Sequence, residues 1–87
     1  MHNLDNLDNF ATIAIQVVAE AGRAARIHDP MHSPHEAYGV IKEEFEEFWA
    51  EVKAFNLPKG KDTRPNMRLE LIQTAAMCIR AIRDLNL

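Results

Sequence analysis

Apolar residues recur at steps of three and four residues in three segments of this chain, and no alternating apolar and polar run is long enough for a convincing strand. A period near 3.6 residues is typical of amphipathic α-helices. We therefore predict an all-α protein with three main helices. The first is predicted over roughly residues 8 to 27. Its apolar stripe consists of Phe10, Ile13, Ala14, Val17, Ala21 and Ala24.

The clearest local signal precedes the second helix. Pro30 ends the first helix, because its ring disfavours helical geometry in the residue before it. Ser33 then suits an N-cap, Pro34 the first helical position, and Glu36 the third residue after the cap. These residues predict a helix from about Pro34 to Phe55. Its core stripe comprises Ala37, Ile41, Phe45, Phe48, Val52 and Phe55, and it is widened by Tyr38 and Trp49.

A third helix follows the stretch 56–64, whose proline, glycine and charge density predict an exposed loop. Pro65 suits the first turn of this helix, which we expect to continue to Leu85. The three apolar faces are broad enough that an isolated monomer would leave them exposed, so we expect a homodimer or homotetramer. The apolar face of the third helix consists of Leu71, Ile72, Ala75, Ala76, Ile79 and Ile82.

The length and composition predict one domain spanning residues 1–87, with a single modest core. Apolar residues make up 47% of the chain, yet no apolar run approaches the ~20 residues of a membrane-spanning helix. The first residues have neither the basic start nor the apolar stretch of a secretory signal, so we expect a cytoplasmic protein without a membrane partner. The lone cysteine, Cys78, lies in an apolar helical segment, where we expect a buried thiol.

Glutamates are concentrated in the second predicted helix, although the net charge of the chain is only −3. That net charge gives no general attraction for nucleic acid, which we exclude as a partner. Glu44, Glu47 and Glu51 project in nearly one direction at the border of the core, whereas Glu46 pairs with Lys42 on the surface. Crowded carboxylates repel each other unless a cation neutralises them, and Mg²⁺ prefers such hard oxygen ligands. The alternative is a solvated acidic helix face.

Two motifs carry a resemblance to a known family. The stretch Glu43-Glu44-Phe45-Glu46-Glu47 resembles the E-E-x-x-E signature of MazG-like proteins, and Glu70-Leu71-Ile72-Gln73 resembles their downstream E-x-x-D, with glutamine in place of the final acid. The resemblance covers roughly residues 33 to 85. It is strongest to short MazG-like proteins of phage and mobile-element type, through the additional stretches His35-Glu36-Ala37-Tyr38 and Gln73-Thr74-Ala75-Ala76-Met77.

The resemblance implies an all-α nucleoside triphosphate pyrophosphohydrolase that converts its substrate to the monophosphate and pyrophosphate, with a role in nucleotide-pool house-cleaning. It implies catalytic roles for Glu43, Glu44 and Glu47, with Glu43 orienting or activating water. The implied magnesium ligands are Glu44, Glu47, Glu70 and Gln73. Basic residues are also needed near a triphosphate. The candidates are Lys59, Lys61, Arg64 and Arg80.

Three questions stay open in the sequence. Gln73 supplies an amide oxygen without charge, so the site either holds fewer metals and remains active or binds nucleotides without hydrolysis. The stripe of the third helix that contains Glu70 and Gln73 also fits a solvent-facing surface. Finally, the apolar pattern equally fits a non-catalytic helical module that dimerises or binds a partner. The histidines around His28 and Asp29 have no fixed helical spacing, which argues against a transition-metal site.

Overall fold

The computed structural model describes residues 3–55 and 61–87, with side chains described from residue 9 onwards. It contains three helices: α1 (Asn3–Ile27), α2 (Pro34–Phe55) and α3 (Arg64–Asp84). The predicted all-α class is confirmed. The bounds of α2 are as predicted, whereas α1 begins earlier than expected. Within these ranges, no helix is both long and apolar enough to cross a bilayer.

The start of α2 is fixed by the capping residues that the sequence indicates. The Ser33 hydroxyl accepts a hydrogen bond of 3.0 Å from the backbone N–H of Glu36. In return, the Glu36 carboxylate accepts a 2.8 Å hydrogen bond from the N–H of His32. These bonds satisfy backbone donors that the first turn of a helix leaves unpaired. The chain therefore turns sharply out of α1 and enters α2 in a fixed direction.

The last helix of the chain lies in the middle of the fold. Within the described ranges, α3 packs against both α1 and α2, while α1 and α2 do not contact each other. An additional hydrogen bond runs from the Arg68 guanidinium on α3 to the Gln16 side chain on α1. At the other side, the buried Thr63 hydroxyl donates a 2.7 Å hydrogen bond to the backbone carbonyl of Glu51 on α2. The helices therefore follow the spatial order α1, α3, α2.

Small side chains dominate the buried core. Alanines of all three helices meet there, and no large side chain in the described part of the chain is completely buried. A core of this kind lets helices approach closely but removes little apolar area from water. Its members are Val17, Ala21, Ala24, Met31, Ala37, Ala76, Met77 and Ala81.

Several residues that the periodicity assigns to the core are exposed instead. Phe10 of α1 is 68% exposed and Phe45 of α2 is 56% exposed. Cys78 is also exposed, so the expected buried thiol is wrong. The physical reason is the open arrangement, because each outer helix has only α3 to pack against and each apolar stripe is wider than that contact. The other large apolar residues of the predicted stripes that are exposed are Ile13, Tyr38, Trp49, Phe55, Leu71, Ile79 and Ile82.

Candidate functional site

Three glutamates from two helices converge at the contact between α2 and α3. One carboxylate oxygen from each of Glu44, Glu47 and Glu70 lies within 4.8 Å of the others. Glu44 and Glu70 are partly buried, while Glu47 is exposed. We call these three residues the acidic cluster. Its members are the three glutamates that the family resemblance assigns as magnesium ligands. The fold thus brings Glu70 next to Glu44 and Glu47, which lie 23 or more positions earlier in the sequence.

Gln73 lies beside the acidic cluster, one turn after Glu70. With its amide nitrogen facing the cluster, Gln73 donates hydrogen bonds of 3.2 Å to Glu44 Oε2 and 3.3 Å to Glu70 Oε2. Rotation of the carboxamide by half a turn presents its oxygen to the same two carboxylates instead. An oxygen facing carboxylate oxygens is repulsive unless a cation lies among them. Gln73 is therefore positioned to donate to the cluster or to complete a set of four oxygen ligands.

Burial and mutual repulsion disfavour the charged form of the acidic cluster. Burial, followed by the hydrogen bond and charge of Glu47 and the charge of Glu44, raises the pKa of Glu70 to about 7. The pKa of Glu44 is also raised, first by burial and then by the negative charges of Glu47 and Glu43. A divalent cation removes this electrostatic penalty because it neutralises the carboxylates. The arrangement is therefore electrostatically unfavourable while all three carboxylates are ionised.

The polar stripe of α3 faces inward, so the solvent-facing alternative is wrong. Glu70 and Gln73 are partly buried against α2, and Met77 and Arg80 farther along the stripe are buried. The side chain of Asp84, one turn beyond Arg80, is only 2% exposed. Polar residues are accepted on this face because carboxylates, a carboxamide and a guanidinium can partner one another across it. α2 and the segment between α1 and α2 therefore pack against this stripe of α3.

Arg80 and Asp84 hold the segment of residues 28–33 between α1 and α2, which we call the connector. Asp84 Oδ2 accepts a 3.0 Å hydrogen bond from the backbone N–H of Met31 and lies 3.8 Å from Arg80 Nη2. The same Arg80 nitrogen donates to the backbone carbonyl of Asp29 at 3.1 Å. The hydrogen bonds from Met31 and Arg83 lower the pKa of Asp84. The connector is therefore fastened to α3 by a buried ion pair.

A cavity of about 350 Å³ lies among the connector, α2 and α3, and we call it the connector cavity. Glu44 belongs both to its lining and to the acidic cluster, so the two features share a wall. Glu43, the proposed water-orienting residue, is exposed and also lines the cavity. The remaining lining residues are His28, Asp29, Met31, Glu36, Val40, Met77 and Arg80.

The four basic candidates occupy different places. Arg80 lines the connector cavity, with its side chain 4% exposed. Arg64 is exposed and binds Asp62 through two hydrogen bonds of 2.8 and 2.9 Å. Lys61 is exposed beside this pair, and Lys59 lies outside the described residues. The structure therefore brings Arg80, but not Arg64, into the surroundings of the acidic cluster.

The other glutamates of α2 are separated from the acidic cluster. Glu46 forms a surface ion pair with Lys42 at 3.7 Å, as the sequence predicts. Glu51, predicted to share a direction with Glu44 and Glu47, lies one turn beyond the latter, and its carboxylate accepts a 3.5 Å hydrogen bond from Asn66. Among the described residues, Glu44, Glu47 and Glu70 form the one such group of potential metal ligands.

The sequence pattern did not identify Asp84 and Met31 as parts of the candidate site. The four-residue spacing of Arg80 and Asp84 on α3 is a signal for an ion pair. It does not reveal that the pair is buried, because the segment that covers it lies about fifty residues earlier. The cavity itself has no sequence signal, since the connector has no periodicity.

Comparisons of this chain with family models, with curated proteins and with solved structures find no match.

Proposed function

We propose that this protein is a magnesium-dependent nucleoside triphosphate pyrophosphohydrolase of the MazG-like type, acting in the cytoplasm in nucleotide-pool house-cleaning. The observation that carries the proposal is the acidic cluster. Its glutamates come from two motifs on two helices, and they meet within 4.8 Å. Glu44, Glu47 and Glu70 would hold the metal through carboxylate oxygens, with the Gln73 amide oxygen beside them. Oxygen donors of this type are what Mg²⁺ prefers.

Bound magnesium would neutralise negative charge on the phosphates while the bond from the α-phosphorus to the α–β bridging oxygen breaks. The protein's own residues then have separate roles. Glu43 lies on α2 next to Glu44 and lines the adjoining cavity. In this proposal its carboxylate orients a water and accepts a proton from it. The water oxygen bonds to the α-phosphorus, and the bridging oxygen leaves with pyrophosphate. Of the basic candidates, Arg80 lines the cavity that adjoins the cluster and is the proposed contact for the departing phosphates.

A second function is supported by one observation. The Gln73 carboxamide satisfies Glu44 and Glu70 by hydrogen bonding, which stabilises the cluster partly without any cation. The large exposed apolar surface then suits a non-catalytic module that dimerises or binds nucleotides. This reading does not account for the convergence of three carboxylates, whose mutual repulsion reduces stability unless a cation is bound.

The direct test is pyrophosphate release from a panel of nucleoside triphosphates, with and without magnesium. Glu44→Gln removes a proposed ligand charge while keeping the side-chain shape. Glu46→Gln is its matched control on the same helix, because Glu46 is exposed and outside the cluster. We expect Glu44→Gln to lower kcat by at least about 100-fold, since loss of outer-shell partners alone costs roughly 10–100-fold. Glu46→Gln should retain activity.

The hydrolase proposal fails if the folded wild-type protein releases no pyrophosphate from any triphosphate in the presence of magnesium. It also fails if Glu44→Gln and Glu46→Gln lose activity equally. Circular dichroism of each variant checks that the helices are intact.

A further inference from the structure

One side of α2 carries an apolar groove that no other part of the described chain covers. Tyr38, Phe45 and Trp49 are 67%, 56% and 54% exposed, and Ile41 lies beside them in the groove. A contiguous apolar surface of this kind on a single chain marks a contact with another molecule. An aromatic side chain buries about 150–250 Å² when it is fully covered. Three of them therefore supply a large share of the roughly 800 Å² that each partner buries in a stable interface.

The spacing of these residues lets the groove pack against a copy of itself that runs in the opposite direction. In an antiparallel pair of identical helices, a residue before the centre of the contact meets the residue equally far after the centre on the other helix. Tyr38 and Trp49 lie symmetrically about position 43.5, and Ile41 and Phe45 about position 43. A single two-fold axis beside residues 43 and 44 thus places Tyr38 against Trp49 of a second copy, and Ile41 against Phe45.

The charged residues of the groove follow the same symmetry. Lys42 and Glu46 both line the groove and lie symmetrically about position 44. Within one chain they form an ion pair of 3.7 Å, so both charges lie on the same side of the groove. The antiparallel contact brings Lys42 of each copy to Glu46 of the other, which is an attractive arrangement. A parallel contact would instead bring each residue level with its own copy, so that like charges lie level with each other.

We propose that this groove is an interface between two copies of the chain, in which α2 packs antiparallel against α2 of the second copy about a two-fold axis beside residues 43 and 44. Every contact then occurs twice, because a two-fold interface uses the same surface of both partners. Glu44 is rotated by about 100° from Phe45 around the helix axis, and it meets Glu70 of α3. The interface therefore leaves the acidic cluster uncovered, and the inference does not depend on the proposed function.

Charge reversal tests which residues meet across the interface. Lys42→Glu and Glu46→Lys each place like charges together twice, so each variant alone should dimerise at least about 10-fold more weakly than the wild type. An equimolar mixture of the two variants restores both attractive pairs between chains and should recover the dimer in sedimentation velocity. The ion pair within each chain stays broken, so this recovery cannot arise within one chain. Arg26→Glu makes the same charge change as Lys42→Glu at an exposed position of α1 and should dimerise like the wild type.

Distances between spin labels test the direction of the contact. Nitroxides are attached to a cysteine at Gly39 or at Lys53, two exposed positions of α2, after Cys78→Ser has removed the exposed native thiol. At a rise of 1.5 Å per residue, the antiparallel contact separates the two labels along the helix axis by about 14 Å at position 39 and about 29 Å at position 53. Pulsed electron paramagnetic resonance should therefore give the longer distance at position 53.

Several results would overturn the inference. One is a wild-type protein that stays monomeric at millimolar concentration, and another is a mixture of Lys42→Glu and Glu46→Lys that does not recover the dimer. Equal label distances at positions 39 and 53 would show a parallel contact and also contradict it. Pyrophosphate release is a separate measurement, because the acidic cluster forms within one chain. A dimer without hydrolysis would contradict only the proposed function, and hydrolysis by a monomer would contradict only the interface.

Discussion

Gln73 can present either end of its carboxamide to the acidic cluster. Its nitrogen donates to Glu44 and Glu70 in one orientation of the carboxamide, and its oxygen faces them in the other. The first orientation suits carboxylates alone, and the second suits carboxylates around a metal. A single side-chain rotation therefore converts a hydrogen-bond donor into a ligand without moving the helix.

Replacing Gln73 with glutamate should strengthen magnesium binding. The variant adds a fourth carboxylate to the cluster, and a unit charge pair 4 Å apart contributes between about 1 and 4 kcal/mol near a protein surface. We expect the dissociation constant for Mg²⁺ to fall by about 10-fold or more, as measured by titration calorimetry. Gln16→Glu is the matched control, because Gln16 is exposed and partners Arg68 on α3. Unchanged or weaker binding in Gln73→Glu would argue against a metal at the cluster.

The stability of the metal-free protein should fall as pH rises from about 4.5 to about 7. The pKa of Glu70 is raised to about 7 from its ordinary value of 4.5, so between these values the folded protein holds a proton that the unfolded chain has lost. The full shift corresponds to about 3.5 kcal/mol at about 1.4 kcal/mol per pKa unit, and solvent screening of this partly exposed carboxylate keeps the contribution below that bound. Urea unfolding across this range measures it.

Two changes should flatten this pH dependence. Magnesium should do so by stabilising the ionised carboxylates, and Glu70→Gln by removing the titrating group. Glu46→Gln should leave the slope as it is in the wild type. A wild-type stability that rises steadily across the same range, with no effect of Glu70→Gln, would contradict the raised pKa.

At the scale of elements, the connector depends on α3 for its conformation. Loss of the Asp84 carboxylate should leave the Met31 N–H without a hydrogen-bond acceptor and the buried Arg80 guanidinium without its counter-ion. We expect Asp84→Ala to reduce the free energy of unfolding by roughly 3–5 kcal/mol, the usual cost of breaking a buried ion pair. Asp62→Ala, which removes an exposed partner of Arg64, should reduce the free energy of unfolding much less, because solvent screens this pair. Denaturant unfolding of both variants measures the difference, and similar costs would mean that the Asp84 pair is solvated.

The helices could be predicted from sequence because their signals are local. Ser33, Pro34 and Glu36 mark the start of α2 by themselves, and the apolar period of 3.6 residues depends only on near neighbours. Which face becomes buried is not local. The stripe from Glu70 to Asp84 is mostly polar, so its periodicity also fits a surface that faces solvent, whereas contacts with α2 and the connector bury it.

The candidate site was predictable to the extent that it lies on helices. Glu44 and Glu47 share a direction because three residues separate them, and Glu70 and Gln73 joined them through the family resemblance. The structure brings these four residues together, and whether they bind magnesium stays a prediction. The connector cavity was not predictable, because it is formed by a segment without periodicity and by the distant residues that fasten it.

At the scale of the whole molecule, the chain exposes more surface than a compact monomer of its mass. Its accessible surface is 6617 Å² for 9.9 kDa, whereas a monomer of this size typically has about 5,200 Å². The radius of gyration is 14.9 Å, compared with about 13 Å for a compact domain of 100 residues. The excess area is larger than the roughly 800 Å² that each partner buries in a stable interface.

We therefore predict that the protein assembles as a homodimer or homotetramer through its exposed apolar stripes. Phe45, which lies with Tyr38, Ile41 and Trp49 in an apolar groove of α2, is a central candidate. Phe45→Glu should weaken self-association by roughly 30-fold or more, as expected for an aromatic anchor. Asn9→Glu adds the same charge at an exposed polar position and should leave assembly unchanged.

Sedimentation velocity across a range of concentrations distinguishes these outcomes. A wild-type protein that remains at 9.9 kDa at high concentration would refute the prediction. Dissociation by both substitutions would show only a sensitivity to charge.

The central place of α3 also determines when this chain can fold during synthesis. Both α1 and α2 reach their contacts only through α3, which follows them in the sequence. As the chain leaves the ribosome, two amphipathic helices emerge with no folded neighbour of their own, and their apolar sides stay open to chaperones or to other nascent chains. Productive folding thus begins late, when α3 emerges, and both earlier helices dock onto it.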